Sequence, residues 1–271
     1  MRTPSKKVIL DSLEFAARWG FLTQQIFFEF ICQMSQAQQY RYWSYLVSSG
    51  LFVKSRHSAN NLILGKKGRA DFGDSARPAR SHFYVEHDAI VARFLFAFED
   101  RGLIVNSWLE DEFMRNPVEA YDILGMPQIQ RVPDLVFDLK TANDSTVRCA
   151  LEIERVTKSQ SRYAKMALAY LNASKIDVIL FGCVHPTTER VVRRAFNTAA
   201  HLESKRVPGT FLIDEFDPAS LATTLKFHSN TMSIERFIEV ATKQTVPSMR
   251  KSGEKREYEF SREINQKSEA A

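Results

Sequence analysis

Between Arg131 and Tyr170 the chain reads RVPDLVFDLKTANDSTVRCALEIERVTKSQSRYAKMALAY. Leu135, Phe137 and Leu139 alternate along a first strand, and Thr141 to Ser145 is rich in turn formers. Val147, Cys149, Leu151 and Ile153 alternate along a second strand, and the segment from about Lys158 to Leu171 takes a helical period. Side chains repeat every second residue on a strand, so Arg148, Ala150, Glu152 and Glu154 share the face opposite the apolar set. Asp134, directly after Pro133, opens the partner strand, and a hairpin brings it within about one strand spacing, roughly 5 Å, of Glu152 or Glu154. Three carboxylates gathered this way repel one another unless a cation neutralises them, and a hard divalent ion with oxygen ligands suits the set. The competing explanation is a hairpin with a solvated polar face. Against it stands the cost of burying Glu152, flanked by Leu151 and Ile153, with neither a cation nor a base beside it.

Charge is unevenly spread. The net charge is +5, yet residues 1–80 hold 12 lysines and arginines against 5 acids, while the remainder holds 25 against 27. A polyanionic partner is therefore expected at the first part of the chain. No apolar run approaches the ~18 residues needed to span a bilayer, so membrane insertion is not expected. Cys32, Cys149 and Cys183 are odd in number and far apart, which suits reduced buried thiols in a cytoplasmic protein better than disulfides or a zinc site.

The N-terminal pattern predicts three helices: Lys6 to Trp19, a short one capped by Thr23, and Gln36 to about Ser48 after Ser35. Two short strands follow, Leu51 to Lys54 and Leu62 to Leu64, with SRHSANN as the loop between them. This order is that of a winged helix-turn-helix over residues 1–73. Gln36, Gln38, Gln39, Arg41, Tyr40 and Tyr42 would be the reading face of its third helix, with Lys54, Arg56, Lys66, Lys67 and Arg69 beside the wing. The alternative is a protein-contact module whose glutamine-rich face is merely solvated.

Residues 74–81, with Pro78 and small neighbours, read as a linker, and 82–245 as an α/β (α+β) domain. In it a helix runs to about Asp100, carrying a lone His87 that is more often a packing residue than a ligand. A strand at 103–109 follows, then an irregular loop over 115–130. After the hairpin and its helix come a buried strand at 176–184, a helix at 187–202 and a strand at 209–216. Residues 246–271 read as a mobile tail. No G-x-x-x-x-G-K-[ST] loop, His-x-His cluster or G-x-S-x-G elbow occurs, which disfavours an ATPase, a histidine-metal relaxase and a serine hydrolase.

Pro133-Asp134 followed by Glu152-Ile153-Glu154 resembles the motif of the PD-(D/E)xK nuclease superfamily, with Glu154 standing where that pattern has lysine. The E-x-E variant, the following helix with Tyr163, Lys165 and Tyr170, and the expected winged helix upstream resemble MobC-type plasmid mobilisation relaxases and replication-relaxation proteins. The resemblance implies a restriction-endonuclease-like mixed sheet flanked by helices. It also implies Mg²⁺ or Mn²⁺ held by Asp134, Glu152 and Glu154, Lys165 as the displaced lysine, and nicking of one strand at a plasmid transfer origin. Double-stranded DNA, an accessory mobilisation protein and a coupling protein are the implied partners. Tyr163 and Tyr170 leave a covalent tyrosine route open. The competing class is a non-catalytic DNA-binding accessory protein that keeps the fold without cleavage.

Overall fold

A computed structural model of the chain describes residues 4–56, 58–126, 131–140, 146–203, 208–227 and 231–243. The expected tail, 246–271, and the turn Thr141 to Ser145 lie outside them. The chain is mixed α/β and divides into two compact units, Met1–Phe96 and Ala97–Ala271. The division falls inside a continuous helix, His82–Glu99, rather than at the expected linker 74–81. Within the first unit Phe96 stacks on Phe15 and Phe30, and Arg93 pairs with Glu29 at 2.9 Å, so most of that helix belongs with the N-terminal elements.

In the first unit, α1 (Lys6–Trp19) begins where the Ser5 hydroxyl accepts the Val8 amide. It ends at Gly20, whose φ of 78° is left-handed and whose α-hydrogen faces the Pro78 carbonyl too closely for any Cβ. The buried face of α1 carries Val8, Leu13, Phe15, Ala16 and Trp19. β1 (Leu22–Thr23) leads into α2 (Gln24–Ile26), capped by Thr23, and then a π-helical turn at Phe27–Ile31. α3 (Gln36–Ser48) precedes β2 (Phe52–Ser55) and β3 (Ser58–Leu64), and α4 (Lys66–Ala70) follows before α5 (His82–Glu99). The antiparallel sheet has three strands in the order β1-β3-β2, one more than the expected ribbon. The added strand is short, and buried Leu22 pairs with buried Leu62. Most of the expected SRHSANN loop is strand as well, since β3 starts at Ser58: backbone pairing at Asn61 with Thr23 overrides the turn preference of asparagine.

In the second unit a seven-stranded sheet has the order β10-β9-β8-β7-β6-β5-β4. Its strands are β4 (Ile104–Leu109), β5 (Leu135–Lys140), β6 (Thr146–Glu154), β7 (Val178–Cys183), β8 (Gly209–Leu212), β9 (Thr224–Lys226) and β10 (Thr231–Ser233). Only β6, β7 and β8 run parallel to one another. Connection length explains this: only five residues separate β5 from its antiparallel partner β6, whereas α8 (Gln160–Leu171) and α9 (Pro186–Glu203) supply the long crossovers that parallel strands need. β7 is buried at all six positions, as the continuous apolar run predicts. Gly182 in it packs closely: an added Cβ would sit 2.7 Å from the tip of the Ile153 side chain on β6 and 2.9 Å from the Phe211 ring, so both would have to shift.

The expected loop at 115–130 is corrected by two helices, α6 (Glu110–Arg115) and α7 (Pro117–Leu124). The acids after β4 start a helix: Glu112 accepts the Leu109 amide at 2.7 Å. Asn116 caps α7, Pro117 occupies its first turn and Gly125 closes it at φ 66°. The strand expected to reach Phe216 stops at Leu212 in a 3-10 turn, and α10 (Ile234–Lys243) ends the described chain. One core fills the sheet face beneath α6 to α9 and includes Phe113, Ile123, Val136, Met166, Phe181 and Phe196. No helix of the described residues is long and apolar enough to cross a membrane.

Candidate acidic site on the central hairpin

The β5–β6 register decides which acids meet. Leu135 pairs with Leu151, Val136 with Ala150 and Asp138 with Arg148. Asp134, one residue beyond the last pair, therefore falls opposite Glu152, and its Oδ2 accepts the Ile153 amide at 2.7 Å. Glu152 and Glu154 sit two residues apart on the helix-covered face, opposite Phe181 and Cys183 of β7. Both are buried, at 0% and 1% exposure.

α8 doubles back over β6 and supplies their first partners. Tyr163, Met166, Ala167 and Tyr170 recur at helical spacing on its buried face. The Tyr170 hydroxyl donates to Glu152 Oε1, and the Tyr163 hydroxyl donates to Glu154 Oε2 at 3.2 Å. Two cations complete the set. Arg131 Nε donates to Glu152 Oε1 at 2.8 Å and its Nη2 to Oε2 at 2.5 Å, a bidentate pair. Lys158 Nζ lies 2.6 Å from Glu154 Oε1, and the Lys158 amide donates to the Tyr163 oxygen. Each of the four glutamate oxygens thus accepts a hydrogen bond from the protein.

Electrostatics follow from this packing. Burial first, and then the Asp134 charge, push the Glu152 carboxyl up to about 7, against the opposing pull of Arg131 and Tyr170. Burial disfavours the Arg131 charge, but Glu152, Tyr170 and Asp134 together raise its pKa, so it stays a cation while Glu152 is the member of the pair that titrates. Burial raises both tyrosines above the usual phenol value, Tyr170 well above it, with Glu152 and Glu154 adding to the effect. Both hydroxyls donate to carboxylates. Burial also lifts the Cys183 thiol to about 12, which leaves it inert.

Lys165, the expected lysine, lies on the exposed side of α8, away from the face of Tyr163 and Tyr170. Lys158 takes the place beside the acids instead, because α8 starts only at Gln160, after the Ser159 cap, and the preceding connection folds Lys158 back over Glu154. Sequence reasoning also missed Arg131, although the i,i+4 spacing of Glu154 and Lys158 and the arginine at the head of the PD segment were both visible signals. A neighbouring pair on the same face, Asp138 with Arg148, is structural: Arg148 also donates to the Ile123 carbonyl and lies over the Trp108 ring.

Does the acidic set suit a divalent ion? Its chemistry does, since all donors are carboxylate oxygens. Its present arrangement does not, for among the described residues no three acidic, histidine or cysteine side chains stand together as a metal site. The neutralising charges are those of Arg131 and Lys158.

In the first unit Gln36 is exposed at the start of α3, as are Lys54, Arg56, Lys66 and Lys67. Arg69 is half-buried. Gln39 is not on a reading face: its amide donates to the Phe28 and Cys32 carbonyls at 3.0 and 2.8 Å and ties off the π-helical turn. Tyr42 is buried, and Arg41 is half-buried with its guanidinium 5.9 Å from the Tyr42 ring and a buried Nε lacking a hydrogen bond among the described residues. Lys67 donates to the Ser49 carbonyl at 3.3 Å. His87 Nδ1 sits 3.0 Å from Asp88, the buried partner of Arg80, a packing role.

Comparison with family models, with curated proteins and with solved structures finds no match. Fold and site define a mixed α/β protein with a buried acid–cation–tyrosine cluster at the ends of two neighbouring strands.

Proposed function

We propose that this chain is a DNA-processing protein, a winged helix joined to a nuclease-like domain that nicks one strand at a plasmid transfer origin with Mg²⁺ or Mn²⁺. The observation that carries the reading is the register placing Asp134 opposite Glu152, with Glu154 on the same face and both glutamates buried. Carboxylates concentrated at the carboxyl end of a strand, where a parallel neighbour also ends, suit a ligand-binding crevice. Asp134, Glu152 and Glu154 would hold the ion, which when bound supplies a Lewis acid for a phosphodiester and a water of lowered pKa. Lys158 replaces Lys165 as the lysine that stabilises charge on the phosphate. In the first unit, α1, α2 and α3 with a β1-β3-β2 sheet and exposed Gln36, Lys54, Arg56, Lys66 and Lys67 support a duplex-DNA partner. An accessory mobilisation protein and a coupling protein belong to the same reading.

A second reading has its own support. Every oxygen of Glu152 and Glu154 already has a protein donor, as in a cluster kept for folding alone. The chain would then be a DNA-binding accessory protein without cleavage. Supercoiled transfer-origin plasmid incubated with the full chain, with and without Mg²⁺ or Mn²⁺, separates the two. Under the nuclease reading, Asp134→Ala or Glu152→Ala lowers nicking by about two orders of magnitude or more while retaining DNA binding. Wild-type protein that binds the plasmid but never nicks it establishes the accessory role.

A further inference from the structure

We propose that the outer face of α8 and α9 is a second nucleic-acid surface, on which Arg162, Lys165, Arg190 and Arg194 hold the phosphate backbone of duplex DNA, an inference that rests on the DNA reading above for the identity of the polyanion. The surface itself follows from how the two helices are laid down.

β6 and β7 are parallel and end level, Glu154 beside Cys183, so the helices that follow them start side by side at one end of the sheet and run the same way. The Thr157 hydroxyl, in the lead-in to α8, lies 2.5 Å from the Thr188 hydroxyl in the first turn of α9 and ties the two starts together. Tyr163, Met166 and Tyr170 turn inward on α8, as Val192 and Phe196 do on α9. Arg162 and Lys165, three residues apart, and Arg190 and Arg194, four apart, are left on the solvent side, and all four are exposed.

A merely solvated face mixes both signs of charge. This one does not. α8 carries no acidic residue, and over Pro186–Ala199 the one acid of α9 is Glu189, which is buried and held by Thr210 and Lys226. None of the four cations has an ion pair among the described residues. Their placement works against the helices that carry them. Arg162 sits in the first turn of α8, where the macrodipole disfavours a cation, and Arg190 and Arg194 repel one another across one turn of α9. A row of phosphates at this edge relieves both strains, and the two helix N-termini add to the attraction. Three of the four are arginines, whose planar fork matches phosphate oxygens. Residues 81–271 hold 25 lysines and arginines against 27 acids, so the basic face is a local concentration that the total conceals.

The test is binding of the full chain to a random-sequence duplex, followed by fluorescence anisotropy over a series of NaCl concentrations. Arg162→Gln/Lys165→Gln and Arg190→Gln/Arg194→Gln should each weaken binding by about tenfold and lower the slope of log affinity against log salt by about two. Arg115→Gln/Arg236→Gln removes the same charge from α6 and α10, where each arginine pairs with a neighbouring acid, and should leave the slope unchanged. In the wild-type chain, duplex DNA should protect Lys165 from acetylation, mapped by mass spectrometry, but not Lys175 beyond the far end of α8; this readout needs no variant. Wild-type slopes in both pairs, a loss matched by Arg115→Gln/Arg236→Gln, or Lys165 labelled equally with and without DNA overturns the second surface and leaves DNA binding by the chain standing. Absence of duplex binding by wild type at low salt overturns both.

Discussion

Glu152 shows how one buried carboxylate can tie stability to pH. Its unfolded value is 4.5 and its folded value about 7, raised by burial and by Asp134. Between those values the folded chain binds the extra proton, so this group's stabilising contribution is fully present below about 4.5 and is lost as pH rises through about 7. Glu152→Gln lacks the titration. Without added metal, wild type should therefore lose stability relative to Glu152→Gln on going from pH 4.5 to 7.5, by an amount on the order of 3 kcal/mol in denaturant melts. A constant difference across the window would mean that Arg131 holds Glu152 ionised throughout.

Helices matter here through what their ends and faces present. α8 places two tyrosines seven residues apart above two glutamates two residues apart, because strand and helix run in opposite directions over the same stretch. α3 has a comparable internal constraint. Gln39 spends its amide on the carbonyls of Phe28 and Cys32, so it acts within the fold and not at its surface. Gln39→Ala should destabilise the protein by about 1–2 kcal/mol, since two backbone acceptors lose their donor, yet leave duplex-DNA affinity unchanged once corrected for folded fraction. Gln36→Ala should do the reverse, with a stable protein and weaker binding to a preferred site. Melting curves and fluorescence-anisotropy titrations on both variants decide this, and a loss of affinity in Gln39→Ala under folded conditions would return Gln39 to the DNA face.

At the scale of the molecule, the division at Phe96 changes what an autonomous N-terminal fragment must contain. A fragment ending at residue 80 lacks Arg93 and Phe96, which engage Glu29, Phe15 and Phe30. A fragment carrying all of α5, residues 1–100, should melt cooperatively and bind duplex DNA with an affinity that falls steeply with salt, through counterion release. The 1–80 fragment should melt at a markedly lower temperature or not cooperatively at all. Similar melting of the two would make α5 dispensable to the first unit, and no binding by folded 1–100 at low salt would remove its DNA role.

Local pattern was enough to read the parts of the chain where one periodicity dominates. α1, α3, α9, the central hairpin and the buried strand β7 follow from apolar spacing and caps, whereas a period of two puts Asp134 on the face of Glu152 and Glu154 and leaves the pairing register to choose between them. Local pattern also located the acidic face, since Glu152 and Glu154 stand between apolar residues on one strand. Other features depended on partners distant in sequence. β1 is a strand because Leu62 is there to pair with Leu22, and the π-helical turn ends where Gln39 reaches back to it. Lys158 stands four residues after Glu154 and Arg131 heads the PD segment, but both lie outside the helices and strands, so their spacing alone does not say that their charges converge on β6. A buried carboxylate demands a cation on electrostatic grounds, but only the packing of the connection after β6 and the segment before β5 decides that the cations are Lys158 and Arg131.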